Sequence, residues 1–254
     1  MLKIDHVTMQ FGGLTAIDDV SFEVNDGTIF GLIGPNGAGK TTMFNIVSGV
    51  YKPVNGKIYL QDQDITGLKP YQICSKGIAR TYQNINLFRT LTVLQNVQIG
   101  CHKNLKSNLW TNLIRTPAQR REEKELVEEC MKLLEFVGLS EKADYMSTNL
   151  AYGEQRHLEI ARALASRPKL LLLDEPAAGM NTTEKKELAE LIRKINDMGI
   201  TILLVEHDMK LVMNVTGEIS VLDFGRKIAQ GTPDEIQANP EVIEAYLGGG
   251  VNGN

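Results

Sequence analysis

Gly34-Pro35-Asn36-Gly37-Ala38-Gly39-Lys40-Thr41-Thr42 fits the pattern G-x-x-x-x-G-K-[ST] in full. The chemistry of that spacing is phosphate binding. Glycines let the backbone curl so that several N–H groups point at phosphate oxygens. A helix starting just after the loop adds its positive N-terminal end. Lys40 is expected to reach the β- and γ-phosphates of a nucleotide, and Thr41 to offer its hydroxyl to Mg²⁺. A chance match in a chain of this length is roughly one in a hundred.

A second acidic feature follows. Leu170–Leu173 is an apolar run that ends in Asp174-Glu175-Pro176. Ligands of open α/β sheets bind beyond the carboxyl ends of the strands. Asp174 is therefore expected beside the phosphate loop, holding Mg²⁺ through water. Glu175 is expected to polarise the water that attacks the γ-phosphate. Two carboxylates alone would read equally well as a solvated strand end; the phosphate loop gives them a partner. Val205-Glu206-His207-Asp208 closes the next apolar strand. His207 at that place can contact the γ-phosphate and orient the water. His6, His102 and His157 read as structural.

The elements that must position these residues are visible around them. Thr28–Ile33 reads as a buried strand leading into Gly34, and a helix spans the stretch from Gly39 to Ser48-Gly49. Residues 2–30 read as short strands punctuated by turns at Gly12-Gly13 and Asn25-Asp26-Gly27. Asn55-Gly56 reads as a turn before a strand at Lys57–Leu60. Strand signals return at Leu170–Leu173, Ile200–Val205 and Ile219–Leu222, with a hairpin turn at Phe224-Gly225 and a further strand at Lys227–Ala229. A helix at Lys185–Asp197 between two of them makes a βαβ unit and a parallel sheet. From Leu91 to Ala165 the pattern turns helical, with Leu126, Val127, Cys130, Met131, Leu134 and Val137 at helical spacing.

Composition bounds the partners. The chain has 254 residues and a formal charge of −4, so no global basic field favours nucleic acid. Cys74, Cys101 and Cys130 match no metal-ligand spacing and suggest free thiols in a reducing compartment. MLKIDHVTMQ lacks the apolar stretch of a secretory signal. No apolar run reaches the ~18 residues of a membrane span.

Taken in order, the phosphate loop, Gln83 in Arg80-Thr-Tyr-Gln83-Asn, the segment Asn149-Leu-Ala-Tyr-Gly153-Glu154-Gln155-Arg156, LLLLDEP and His207 resemble the nucleotide-binding subunit of an ABC transporter. The resemblance covers nearly the whole chain. It implies a single ABC ATPase domain over 1–254, of the P-loop NTPase α/β fold. A RecA-like parallel-sheet core and an N-terminal antiparallel β subdomain fall in 1–90 and 166–254. A helical signature subdomain is inserted at 91–165. It also implies ATP and Mg²⁺ as cofactors, and a dimer that sandwiches ATP between one subunit's phosphate loop and the other's Gly153 and Glu154. Phe11 takes the place of the aromatic residue that stacks on adenine. Gln83 takes that of the glutamine that touches Mg²⁺ or water and relays movement to a membrane subunit.

Two departures from the family pattern stand out. Ala151 replaces the signature serine, and Asn181 stands where many members carry aspartate. The Leu150-Ala-Tyr-Gly153 signature and Glu175-Pro-Ala-Ala-Gly179, with Phe11-Gly-Gly-Leu, Gln83-Asn-Ile-Asn-Leu-Phe88 and Ala245-Tyr246-Leu247-Gly248, make the chain similar to the branched-chain amino acid importer subfamily. The resemblance is strongest to the first of that system's two ATPase subunits. It implies a heterodimer with a second ABC ATPase, transmembrane permease subunits contacted near Gln83 and Phe88, and indirect dependence on a periplasmic or extracellular solute-binding protein. It places the chain on the cytoplasmic face of the cell membrane. The motifs also permit a lipid or lipopolysaccharide exporter subunit, or a soluble ATPase of a cytosolic assembly machine. The segment around Trp110, with Leu109, Leu113 and Ile114, reads as a helix packed on the helical block.

Overall fold

The computed structural model describes residues 1–101 and 117–248. Trp110 and its neighbours, and His102, lie outside the described residues. The chain divides into two compact units, Met1–Arg80 with Lys169–Asn254, and Thr81–Pro168.

The first unit carries two sheets. β1 (Leu2–Phe11), β2 (Leu14–Val24), β4 (Asn55–Leu60) and β5 (Gln63–Asp64) form an antiparallel sheet in the order β2-β1-β4-β5. β3 (Ile29–Ile33), β6 (Ile78–Arg80), β7 (Leu170–Asp174), β8 (Thr201–Val205), β9 (Glu218–Asp223) and β10 (Arg226–Gly231) form the second, in the order β10-β9-β3-β8-β7-β6. All its pairs are parallel except the β9–β10 hairpin. β3, β7 and β8 are buried along their whole length. That explains their unbroken apolar sequences, because helices cover both faces of a parallel sheet. Helices α1 (Lys40–Val47), α2 (Pro70–Ser75), α6 (Thr182–Asp197), α7 (Met209–Val215), α8 (Pro233–Ala238) and α9 (Pro240–Gly248) complete this unit. Met43, Phe44 and Val47 of α1 join Leu2, Phe22 and Phe30 in one core. Phe22 and Phe30 stack at 5.5 Å.

The second unit holds α3 (Val93–Gly100), α4 (Pro117–Phe136) and α5 (Tyr152–Leu164). It begins at Thr81 rather than at Leu91. The cause is polar: the Asn96 side chain bonds both the N–H and the carbonyl of Phe88, and Arg156 bonds the carbonyls of Tyr82 and Gln83. Cys130 and Leu134 are buried as their spacing requires, whereas Val127 is 36% exposed. Cys101 and Cys130, 29 residues apart in sequence, meet at 3.6 Å as buried thiols. Among the described residues no helix is long and apolar enough to cross a membrane.

Three local readings change. Residues 2–24 form two long strands of 10 and 11 residues, not several short ones. The helix expected from Lys185 starts at Thr182, because Asn181 caps it: its side chain accepts from the N–H groups of Thr183 and Glu184. Asn55-Gly56 is not a turn. Asn55 pairs with Thr8, and Gly56 (φ 84°) sits at an irregularity of the β1–β4 ladder. There β1 approaches so closely that a Cβ would stand 2.3 Å from the His6 carbonyl oxygen.

Gly27 also has positive φ (68°), with open space around the place of a Cβ. Gly27→Ala should cost about 1–2 kcal/mol, the left-handed backbone penalty alone. Gly56→Ala should cost clearly more than that, because β1 must also move. Urea denaturation of the two variants measures the difference.

Candidate functional site

Strand register builds the site. Leu32 pairs with Val205, and Val205 with Asp174. These three residues lie in one row across β3, β8 and β7. The segments after Ile33, after Val205 and after Asp174 therefore leave the sheet at the same carboxyl edge. Those segments are the phosphate loop, Glu206-His207-Asp208 and Glu175-Pro176.

The loop between β3 and α1 is shaped by two glycines. A Cβ on Gly34 would stand 2.0 Å from the carbonyl oxygen of Leu222, so β9 packs directly on the loop's entry. Gly39 (φ 102°) turns the chain into α1 with its Cα facing the Ala16 carbonyl; a Cβ there would come within 2.7 Å of that oxygen. Pro35, Asn36, Gly37 and Ala38 form the turn between them, and Asn36, Gly37 and Thr41 are exposed. Thr42 is half-buried one residue further into α1. Lys40 is buried, and its Nζ donates to the carbonyls of Gly34 (2.6 Å) and Pro35 (2.8 Å). Burial pushes the Lys40 ammonium below the ordinary lysine value, and the charge of Glu175 opposes that shift. The lysine is thus folded onto its own loop, on carbonyls that a phosphate can replace.

Asp174 ends β7 and is 2% exposed. Its Oδ2 accepts from Arg80 Nη2 at 2.7 Å. Arg80 Nη1 donates to Asn45 Oδ1 of α1 and to Oγ of Ser48, the residue that caps its C-terminus, both at 2.8 Å, and the guanidinium lies 5.6 Å from the centre of the Phe44 ring. Arg80 thereby joins β6, β7 and the helix that follows the phosphate loop.

Glu175 has φ 46°, an unusual backbone for a residue with a long side chain. Its N–H donates to the Val205 carbonyl (2.8 Å), and its own carbonyl accepts from Ala178 (3.2 Å). Its Oε1 shares a 2.6 Å hydrogen bond with His207 Nε2. Glu206, between strand end and histidine, is 3% exposed. Its carboxylate accepts from the N–H groups of Ala177 (2.6 Å), His207 (3.0 Å) and Asp208 (3.4 Å). Burial pushes the Glu206 carboxyl up, and those three N–H groups pull it back. Glu206 thus fixes the turns that carry Glu175 and His207.

Sequence reasoning missed Arg80 and Glu206 as site residues. Both stand inside segments it singled out, and a charged residue next to an apolar strand was the available signal. Phe11 is 41% exposed at the end of β1 and meets the edge of Tyr51 with ring centroids 5.1 Å apart. That exposure excludes a core role. His6 pairs with Asp19, and His157 Nδ1 meets the Val137 carbonyl. Gln83, Gly153 and Glu154 belong to the second unit. Gly153 is buried in the first turn of α5, and Glu154 binds the Ala151 N–H and Lys142. Among the described residues no group of three or more His, Cys, Asp or Glu side chains forms a metal site.

Comparison with known proteins agrees with this architecture. The family model described as ABC transporter matches residues 17–178, and the chain belongs to that family. A second model, described as branched-chain amino acid ATP-binding cassette transporter, matches residues 226–252. The high-affinity branched-chain amino acid transport ATP-binding protein LivG of Salmonella typhimurium is 49% identical over 98% of both chains. The corresponding protein BraF of Pseudomonas aeruginosa is 46% identical over 98% of both. A crystal structure of an ABC transporter's ATP-binding cassette in its ADP conformation has a TM-score of 0.85 and 33% identity, covering 98% of both chains. A dimeric cassette bound to ADP and Pi has a TM-score of 0.74 and 26% identity, covering 92% of this chain and 99% of that one. The fold is that of a P-loop NTPase with a parallel-sheet core, as the sequence led us to expect.

Two outcomes test the site. Arg80→Met leaves the buried Asp174 carboxylate without its cation and should cost about 3–5 kcal/mol in denaturant unfolding. The second concerns pH. Phosphates attract the charged form of Lys40, so nucleotide affinity is present below its pKa and lost as pH rises through it. Because that pKa lies below the ordinary 10.5, calorimetric ATP titrations should show the fall beginning below that value. Lys40→Met should bind roughly tenfold or more weakly and show no such fall.

Proposed function

We propose that the chain is the ATP-hydrolysing subunit of an importer for branched-chain amino acids, working on the cytoplasmic face of the cell membrane. The observation that carries the hydrolytic reading is the Glu175–His207 hydrogen bond at the sheet edge, with Lys40 close enough to feel the Glu175 charge. The substrate class is supported by the 49% identity to the Salmonella protein over 98% of both chains, and by the second family model at residues 226–252.

In this reading, backbone N–H groups of the loop and Lys40 hold the triphosphate. Lys40 exchanges the carbonyls of Gly34 and Pro35 for phosphate oxygens. Glu175 accepts the proton of the attacking water, and His207 holds that carboxylate and the water in line with the γ-phosphate. Thr41 and Asp174 would hold Mg²⁺; both offer hard oxygen donors, which this ion prefers. The ion would supply positive charge that offsets the negative charge of the phosphates. Phe11 offers its exposed face to adenine.

Gly153 and Glu154 at the start of α5 complete the site of a second cassette. With Ala151 in place of a serine, the contact falls to backbone N–H groups and the helix end. Asn181, used here as a helix cap, makes its cross-subunit contact without a charge. We infer a heterodimer with a second ABC ATPase, bound to two transmembrane permeases through the exposed Phe88 and Gln83 region. A periplasmic or extracellular solute-binding protein delivers the amino acid.

Glu175→Gln should lower ATP turnover by about 10²-fold or more while ATP still binds. Undiminished turnover would remove Glu175 from this role. The transport reading is tested by co-purification from detergent-solubilised membranes. It expects two permeases and a second ATPase, and a soluble scaffold in their place would sink it.

A further inference from the structure

A second buried ion pair lies on α5, the helix that begins at the signature segment. Gly153 is in its first turn. Arg156, three residues on, is 0% exposed, and Glu159 is 1% exposed. Arg156 Nη1 meets Glu159 Oε2 at 2.6 Å. Arg162, three residues further along the same helix, stands 3.9 Å from Glu159 Oε1; the remaining hydrogen bonds go to another part of the unit. Arg156 Nη1 donates to the Tyr82 carbonyl (2.6 Å), and Nη2 to the Gln83 carbonyl (2.8 Å). Glu159 Oε1 accepts from the backbone N–H groups of Tyr82 and Asn86, each at 3.4 Å.

Residues 81–88 contain no helix or strand. Their backbone groups therefore depend on side chains for partners, and one helix supplies four of those bonds. The far end is held as well: Asn96 and Ser147 bind the backbone of Phe88. Gln83 itself stays exposed. Stability does not explain this arrangement. A well-packed apolar pair usually serves a core as well as a buried ion pair or better. Arg156 Nε is moreover buried with no hydrogen-bond partner among the described residues.

We propose that Arg156 and Glu159 are positioning residues, a two-charge latch that makes the signature segment at Gly153 and the Gln83 loop move as one body. The fork of one guanidinium on two consecutive carbonyls fixes both position and orientation of the peptide planes at Gln83. A displacement at Gly153 then arrives at Gln83 without loss, and a push on the loop arrives at Gly153. The meaning of that linkage for transport rests on the function proposed above; the latch itself does not.

Two variants separate the possibilities. Arg156→Lys keeps a cation for Glu159, but one ammonium cannot fork onto both carbonyls. Arg156→Met with Glu159→Leu and Arg162→Met replaces the whole charge group, Arg162 being 3.9 Å from Glu159, by apolar side chains of similar size. Hydrogen exchange, read by mass spectrometry on the full chain, should be about tenfold faster over residues 82–88 in both. Exchange in α3 and α5 should stay as in the wild type. In the assembled transporter, both variants should lose the stimulation of ATP turnover by transported substrate, with KM for ATP within about twofold. Unchanged exchange over 82–88 overturns the latch, and so does faster exchange throughout the unit. Local loosening with stimulation intact overturns the coupling. A wild-type transporter without substrate stimulation counts against the proposed function instead, and the exchange result still decides the latch.

Discussion

The ion pair between Arg80 and Asp174 is where three elements of the nucleotide site are tied together. Arg80 comes from β6, Asp174 from β7, and the other guanidinium bonds go to Asn45 of α1 and to its C-cap Ser48. Both side chains are nearly closed to water, at 6% and 3% exposure. Buried charges require such pairing, since either one alone would be strongly destabilising. The acidic end of β7 is thereby locked to the helix whose N-terminus closes the phosphate loop. Glu175, the next residue, inherits that position. Its left-handed backbone then aims the carboxylate at His207. Such a conformation persists only where neighbours enforce it, and Val205 and Ala178 do so through backbone bonds.

What could be read from the sequence was whatever is local. The phosphate loop occupies nine consecutive residues, and LLLLDEP places an apolar strand and its acidic end side by side. Their adjacency in space followed from the parallel-sheet rule. Arg80 and Glu206 were not assigned roles because their partners are remote: Asp174 lies 94 residues from Arg80, and Ala177 lies 29 from Glu206. Asn55-Gly56 misled for the opposite reason. It carries a strong local turn signal, and a long-range pairing with β1 overrode it. The cap at Asn181 was legible in hindsight, since Asn181-Thr182-Thr183-Glu184 spells a capping box.

The two units use buried charge in different ways. In the first, Arg80, Asp174 and Glu206 fix groups at the edge of a sheet that apolar burial already holds rigid. In the second, Arg156 and Glu159 organise a segment that has no secondary structure of its own. Buried charge thus sits at strand ends in one unit and against the backbone of a loop in the other.

The account turns on Lys40 and Glu175 facing the same phosphate. A crystal structure of the Glu175→Gln chain with Mg²⁺ and ATP tests this most directly. The account predicts that Lys40 Nζ leaves the carbonyls of Gly34 and Pro35 for phosphate oxygens, with residue 175 and His207 bracketing a water in line with the γ-phosphate and the Arg80–Asp174 bond intact. ATP bound with Lys40 still on those carbonyls, or with the γ-phosphate turned away from residue 175, would contradict it.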